Sequence, residues 1–183
     1  MRIIYLCGSL RKNSYNRKLM ETMMSEAPSH WEMAEVELKD IPFYDADIES
    51  AGEPEAVKRL KAAIADADGI IMVTPEYNNG MPAILKNAID WASSPPDSSP
   101  LPNKAVALAG ASPQGAGTVQ AQAQLRQVLG AIQTRTMPGP KILVGQIQNR
   151  VAEEDRLIKE ESTVKRIKAF VGAFDEWVRF FQK

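Results

Sequence analysis

Residues 3–6, Ile-Ile-Tyr-Leu, form a short apolar, β-prone run. The chain then breaks at Gly8-Ser9, and a helical pattern sets in at Tyr15. This opening restricts the fold more than any other stretch. A strand that is apolar on both faces belongs in the middle of a parallel sheet, covered by helices above and below. The loop between strand and helix carries Ser9, Arg11, Ser14 and Asn16 within eight residues. A polar loop ahead of a helix start describes an anion site, because its backbone N–H groups and hydroxyls curl round the ligand while the positive helix end faces it. Arg11 adds a bidentate, charge-assisted contact. The alternative is a plain turn in which Ser14 only caps the helix.

Rival phosphate loops fail on their residues. A Walker loop needs a Gly-Lys pair that does not follow Gly8, and the dinucleotide fingerprint needs glycines that are absent. A cysteine-based phosphatase loop would pair Cys7 with an arginine six residues on, where Asn13 stands. Cys7 therefore reads as a small buried residue at a strand end.

Further strands are expected at Glu32–Leu38, Gly69–Val73, Ala105–Ala109 and Thr134–Val144, the last interrupted by Pro138-Gly139-Pro140. Helical spacing of apolar residues follows Tyr15 as far as Pro28. It recurs after Pro54 (Val57, Leu60, Ile64, Ala67), after Pro82, over Val119–Ile132 and from Val164 to Phe181. Residues 39–53 and 93–103 read as irregular loops. The alternation predicts an α/β fold, a doubly wound five-stranded parallel sheet with strand order 2-1-3-4-5, in one domain of 183 residues.

A net charge of −1 without a basic stripe argues against nucleic acid as a partner. No apolar run approaches membrane-spanning length, and no signal segment is evident, so a cytoplasmic location is expected. One cysteine and one histidine, His30, exclude the usual zinc sites, and no nucleophile elbow accompanies the histidine. Redox or group-transfer chemistry would need a bound cofactor.

In a parallel sheet the loops that follow strands emerge at one edge, where ligands bind. Three unusual loops meet there: Gly8–Asn16, Thr74–Pro82 and Gly110–Thr118. The second is shaped by Pro75, Asn78, Asn79 and Gly80 and offers the aromatic surface of Tyr77. The third carries Gly115 and Gly117, where backbone can approach a ring. A phosphate site beside two flat loops suits FMN better than a nucleoside triphosphate. Taken singly, Pro75, Gly80 and Pro82 also read as ordinary turn residues.

Three segments carry a family resemblance: Gly8-Ser9-Leu10-Arg11 with Ser14-Tyr15-Asn16; Thr74-Pro75-Glu76-Tyr77-Asn78 with Pro82 and Leu85-Lys86-Asn87-Ala88-Ile89-Asp90-Trp91; and Ala111-Ser112-Pro113 with Gly117. Over about residues 2–145 the chain resembles the NADPH-dependent FMN reductase family, flavodoxin-like proteins that include quinone, azo and chromate reductases. The resemblance implies noncovalent FMN, NADPH or NADH as reductant, a small-molecule electron acceptor, and a homodimer or homotetramer. By position, Ser9, Arg11, Ser14 and Asn16 would hold the FMN phosphate, with Tyr15 of the same motif also cofactor-binding. Pro75, Glu76, Tyr77 and Asn78 would lie along the isoalloxazine, with Ser112 and Gly115 near its far edge. Ala83, Gln114 and Ala116 depart from the family pattern, which has glycine at these places more often.

The expected reaction is hydride transfer from a nicotinamide through flavin N5 to an acceptor such as a quinone. No side chain need act as acid or base. Backbone N–H groups of Glu76–Asn79, with the helix start near Pro82, would stabilise the negative charge of the reduced ring. One alternative is a flavodoxin-type electron carrier, but such carriers tend to be strongly acidic and to sandwich the ring between aromatics. Another is a flavin-free binding domain. The segment with Met81, Ile84, Leu85, Ile89 and Trp91 is apolar over a wide arc. That predicts burial on one side by the sheet and on the other by a second copy, or by the 93–103 loop.

Overall fold

The apolar runs become neighbouring strands of one parallel sheet. In the computed structural model, which describes residues 1–152 and 154–182, the strands are β1 (Arg2–Cys7), β2 (Glu32–Glu35), β3 (Gly69–Val73), β4 (Ala105–Ala111), β5 (Arg135–Thr136) and β6 (Ile142–Val144). The helices are α1 (Tyr15–Ser25), α2 (Ala46–Ala51), α3 (Glu55–Asp66), α4 (Ala83–Ser93), α5 (Val119–Ala131) and α6 (Glu161–Phe181). The order β2-β1-β3-β4-β5 and the parallel pairing are those expected.

Alternation along β1 divides the core in two. Ile3, Tyr5 and Cys7 pack with Leu19 and Met20 of α1 and Phe170 and Phe174 of α6. Ile4 and Leu6 face the other way, toward Leu60 of α3, Leu85 and Trp91 of α4, and Leu125 of α5. Both faces of the sheet are thus covered, which is why β1, β3 and β4 read as unbroken apolar runs.

The fifth strand differs from the expected single run. Its place is shared by β5, paired with Ala105 and Val106, and β6, paired with Ala109, Gly110 and Ala111 of the same strand β4. Between them Pro138 and Pro140 have no N–H to give to a ladder, so the chain bulges out and rejoins. β2 also stops short, at Glu35 rather than Leu38. Val36 makes one more bond to Tyr5 O, after which the chain dips so that Leu38 and Ile41 are buried over the α3–α4 face.

Residues 39–53 are not wholly irregular, because α2 lies within them. Its N-cap is Asp45, whose carboxylate accepts from Asp47 N–H at 2.8 Å. None of its residues is buried, so it left no apolar period to read.

The segment before α2 covers the outer arc of α4. The Asn87 carboxamide donates to Pro42 O and accepts from Tyr44 N–H, both at 2.8 Å. Trp91 Nε1–H donates to Pro42 O, also at 2.8 Å, and the Trp91 and Tyr44 rings meet edge to face with centroids 5.0 Å apart. The Asn87 and Trp91 part of the α4 arc is therefore covered by its own chain around Pro42 and Tyr44, while Met81 and Ile84 stay half-buried. The 93–103 loop contributes Leu101 to the same core. Among the described residues, no helix is long and apolar enough to cross a membrane, and no group of three His, Cys, Asp or Glu side chains could hold a metal ion.

Candidate functional site

The ends of β1, β3 and β4 deliver the three loops to one cleft. Ser9, Arg11, Ser14, Tyr15 and Asn16 line it from the first loop, Pro75, Glu76 and Tyr77 from the second, and Ser112 with Ala111 and Pro113 from the third. Asn78, Asn79 and Gly115 stand outside this lining.

Gly8 makes the first loop possible. Its N–H extends the β1–β3 ladder to Val73 O at 2.8 Å, and a Cβ there would lie 2.7 Å from Leu85 Cδ1 and 2.8 Å from Pro82 Cγ. Beyond it, none of the backbone N–H groups from Ser9 to Asn13 finds an acceptor among the described residues. Ser14 caps α1, its Oγ accepting from Asn16 N–H at 3.1 Å and Arg17 N–H at 3.3 Å. Its own hydroxyl proton stays available. The buried Ser9 hydroxyl makes no bond among the described residues and lines the cleft. Arg11 is exposed, with its guanidinium 5.8 Å from the Tyr15 ring centroid and donating to Asn13 O at 3.2 Å.

Asn16 is occupied differently. Its Nδ2 donates to Ala111 O at 2.9 Å, and its Oδ1 accepts from Ala111 N–H at 2.8 Å. One Nδ2–H and Oδ1 of the buried carboxamide are engaged, so Asn16 braces the first loop against the end of β4 while its second Nδ2–H is left for the cleft it lines. Cys7 lies just beneath, where burial pushes its thiol above the usual range and away from the reactive thiolate.

The second loop is a tight hairpin. Tyr77 N–H donates to Gly80 O at 3.1 Å and Gly80 N–H to Tyr77 O at 3.0 Å. Asn78 and Asn79 take φ of 49° and 59°. Positive φ at both central residues is the type I′ turn, which asparagine tolerates well. Among the described residues, the Glu76, Asn78 and Asn79 N–H groups find no acceptor. The Glu76 carboxylate accepts from Gln120 N–H at 2.8 Å and Ala121 N–H at 2.9 Å, closing the N-terminus of α5.

In the third loop, Ser112 Oγ accepts from Gln114 N–H at 3.1 Å. Gly117, at φ +68°, packs against the backbone of Leu143 and Val144, so its freedom serves the contact with β6. Gly115 would admit a Cβ with nothing within 4 Å.

This arrangement matches one phosphate, not two. The N-terminus of α1, with its Asn16 and Arg17 N–H groups held by the neutral Ser14 hydroxyl, is fronted by the free N–H groups of Ser9 to Asn13, two hydroxyls and Arg11, a donor set suited to a phosphate monoester. That of α5 is already neutralised by Glu76. A larger open recess of about 570 Å³ lies at the opposite edge of the sheet, but its polar groups serve one another. Lys104 Nζ donates to Ala67 O at 2.6 Å, and Asp68 accepts from Arg2 N–H and from Gln182 at 2.7 Å. Sequence reasoning missed the second partners in the site: Ala111, Gln120, Ala121 and Gln124 contact it through backbone or through one exposed carboxamide, and such contacts leave no pattern.

Residues 1–149 match the family of NADPH-dependent FMN reductases. The chain is 36% identical over 179 residues to a 2-hydroxy-1,4-benzoquinone reductase of Burkholderia sp, covering 98% of this chain and 97% of that protein. It is 37% identical over 181 residues to a quinone reductase of Escherichia coli strain K12, covering 98% and 96%. Among solved structures, FerB, a flavoenzyme NAD(P)H:(acceptor) oxidoreductase from Paracoccus denitrificans, superposes with a TM-score of 0.91 at 35% identity over 98% of both chains. With the matching loops on one edge of the same sheet, the chain belongs to the NADPH-dependent FMN reductase family.

Proposed function

We propose that this protein binds FMN noncovalently in the three-loop cleft and carries reducing equivalents from NADPH or NADH to small acceptors, quinones foremost. The observation that carries the reading is the pair of helix ends at the sheet edge: α1 has a neutral hydroxyl cap and a loop of free N–H groups before it, whereas α5 is already faced by the Glu76 carboxylate. A ligand with one terminal phosphate and a flat body fits that pair. The quinone reductases named above share the chain over nearly its whole length.

Bound FMN would supply the hydride chemistry, which no side chain of the cleft can provide. The chain's own part is to hold and to polarise. The Ser9 and Ser14 hydroxyls, the N–H groups from Ser9 to Asn13 and the Arg11 guanidinium hold the phosphate, with Tyr15 beside them. Pro75, Glu76 and Tyr77 form one wall, and Ser112 with Pro113 the facing one. The unbonded N–H groups of Asn78 and Asn79, with the positive end of α4, offer neutral donors for negative charge on the ring. Tyr77 is about half exposed, at 53%, and the other aromatic of the cleft, Tyr15, stands beside Arg11 in the phosphate-holding loop rather than on the ring wall. That leaves a face for small acceptors and disfavours the carrier reading.

The test is direct. Purified protein should be yellow, release FMN on denaturation, and oxidise NADPH or NADH steadily when a benzoquinone is supplied. A colourless protein that takes up no added FMN overturns the reading, and a yellow one without turnover makes it a carrier.

The same reading places the protein in the cytoplasm as a homodimer or homotetramer. Beside α4 the apolar surface exposed to a second copy includes Phe43, Tyr44 and Ile48, exposed by 78%, 37% and 39%. Sedimentation at micromolar concentration should give a species of twice or four times 20.2 kDa. A single 20 kDa species excludes assembly.

A further inference from the structure

The hairpin Thr74–Pro82 runs directly into α4, yet no side chain of α4 holds it. Among the described residues, its side-chain ties to the rest of the protein go to α5. Glu76 accepts from the Gln120 and Ala121 N–H groups in the first turn of α5. One turn on, the Gln124 carboxamide accepts from Met81 N–H at 3.0 Å and donates to Asn79 O at 3.3 Å. One tie grips the chain just before the turn and the other just after it. Gly80 sits in the second grip, where a Cβ would lie 3.2 Å from Gln124 Oε1.

The turn is rigid within itself, since Tyr77 and Gly80 satisfy each other's backbone groups. What remains free is its tilt over the cleft, about the flanking residues Pro75–Glu76 and Gly80–Met81. The two ties remove that freedom. α5 also follows straight on from the third loop, so both walls of the cleft are set by one helix.

We propose that Glu76 and Gln124 are positioning residues. Through them α5 sets the height of the hairpin and so the aim of the Asn78 and Asn79 N–H groups at the charge that reduction places on the flavin. The proposal rests on the reading of this hairpin as the ring-facing wall of an FMN site. Glu76 acts through its acceptor oxygen on α5, and Gln124 acts only through the loop backbone.

Four variants of the FMN-loaded protein test this: Gln124→Leu, Glu76→Ala, Glu76→Gln and Asn78→Pro. The readouts are the FMN dissociation constant from fluorescence quenching and the two-electron midpoint potential from dye equilibration. Gln124 is exposed, so its replacement leaves the core intact. Gln124→Leu and Glu76→Ala should each weaken reduced FMN about tenfold more than oxidised FMN, a potential more negative by about 30 mV. Glu76→Gln keeps an acceptor oxygen for Gln120 and Ala121 and should recover most of that change. Asn78→Pro cannot adopt positive φ and has no N–H, so it breaks the hairpin directly. If Asn78→Pro alters affinity and potential while Gln124→Leu and Glu76→Ala change the reduced-to-oxidised ratio less than twofold, the positioning role is overturned and the site stands. If Asn78→Pro also changes neither, the hairpin does not face the ring, and the reading of the site falls with the proposal.

Discussion

Asn16→Leu is expected to lower the melting temperature of the FMN-free protein by about 6–12 °C and to weaken FMN binding as well. The side chain is buried and joined at both ends to Ala111. Leucine fills a similar space but leaves a buried N–H and a buried C=O without partners. Each orphaned group costs about 1–3 kcal/mol, so a total near 3 kcal/mol is expected. In a chain of this size each kcal/mol moves the melting temperature by about 2–4 °C. Arg11→Ala is the instructive contrast. Arg11 is exposed and bonds only Asn13 O, so the melting temperature of the FMN-free protein should stay within about 2 °C. Its FMN affinity should fall about 10- to 100-fold, the loss of a charge-assisted contact of about 1.5–3 kcal/mol. Calorimetry of the FMN-free proteins and flavin titration separate the two effects. If Asn16→Leu melts with the parent, its bonds to Ala111 do not brace the loops.

Gly110→Ala should be comparably damaging for a steric reason. A Cβ at Gly110 would stand 2.1 Å from Thr118 Oγ1 and 2.4 Å from Thr74 O, both in fully buried residues. Thr74 opens the second loop and Thr118 precedes α5, so relief of the clash must push these two segments apart. Overpacking of this kind costs about 1–3 kcal/mol or more, and backbone contacts place this case at the upper end. A fall of about 6–12 °C follows, together with weaker FMN binding as the two walls separate. Gly130→Ala in α5 is the control. Nothing lies within 4 Å of its would-be Cβ, so alanine should stabilise the helix by about 0.5–1 kcal/mol. Equal melting temperatures for Gly110→Ala and the parent would show that β4 yields at this point.

The core strands were legible because burial on both faces leaves an unbroken apolar run, as in Gly69–Val73, expected and observed with the same bounds. The edge was harder. β2 is exposed along most of its length, and the β5–β6 pair depends on which stretch of β4 each segment meets, so neither boundary is written in local hydropathy. α2 was missed because a helix without a buried face has no apolar period.

The topology rule brings the three loops to one edge, where the structure has them line one cleft, since all strands of a parallel sheet point their following loops the same way. The roles within the loops were less legible. Asn16 beside Ser14 reads as a phosphate donor, and only the contact with Ala111, 95 residues away, shows that it also braces the loop. Asn78 and Asn79 read as residues that shape the loop, and only the backbone shows that the shape is a hairpin turn with positive φ at both.

By itself the sequence determined the sheet, its strand order, the loops at its functional edge and the family, because these rest on hydrophobic patterning and on short motifs that act through neighbouring residues. Tertiary structure alone decided that Pro42 and Tyr44 cover Trp91, that Asn16 joins the first loop to β4, and that Glu76 and Gln124 hang the second loop on α5. Each of these is a hydrogen bond or ring contact between residues 40 to 95 positions apart. A polar side chain carries no mark of which distant backbone group it will meet until the sheet has brought the two within reach.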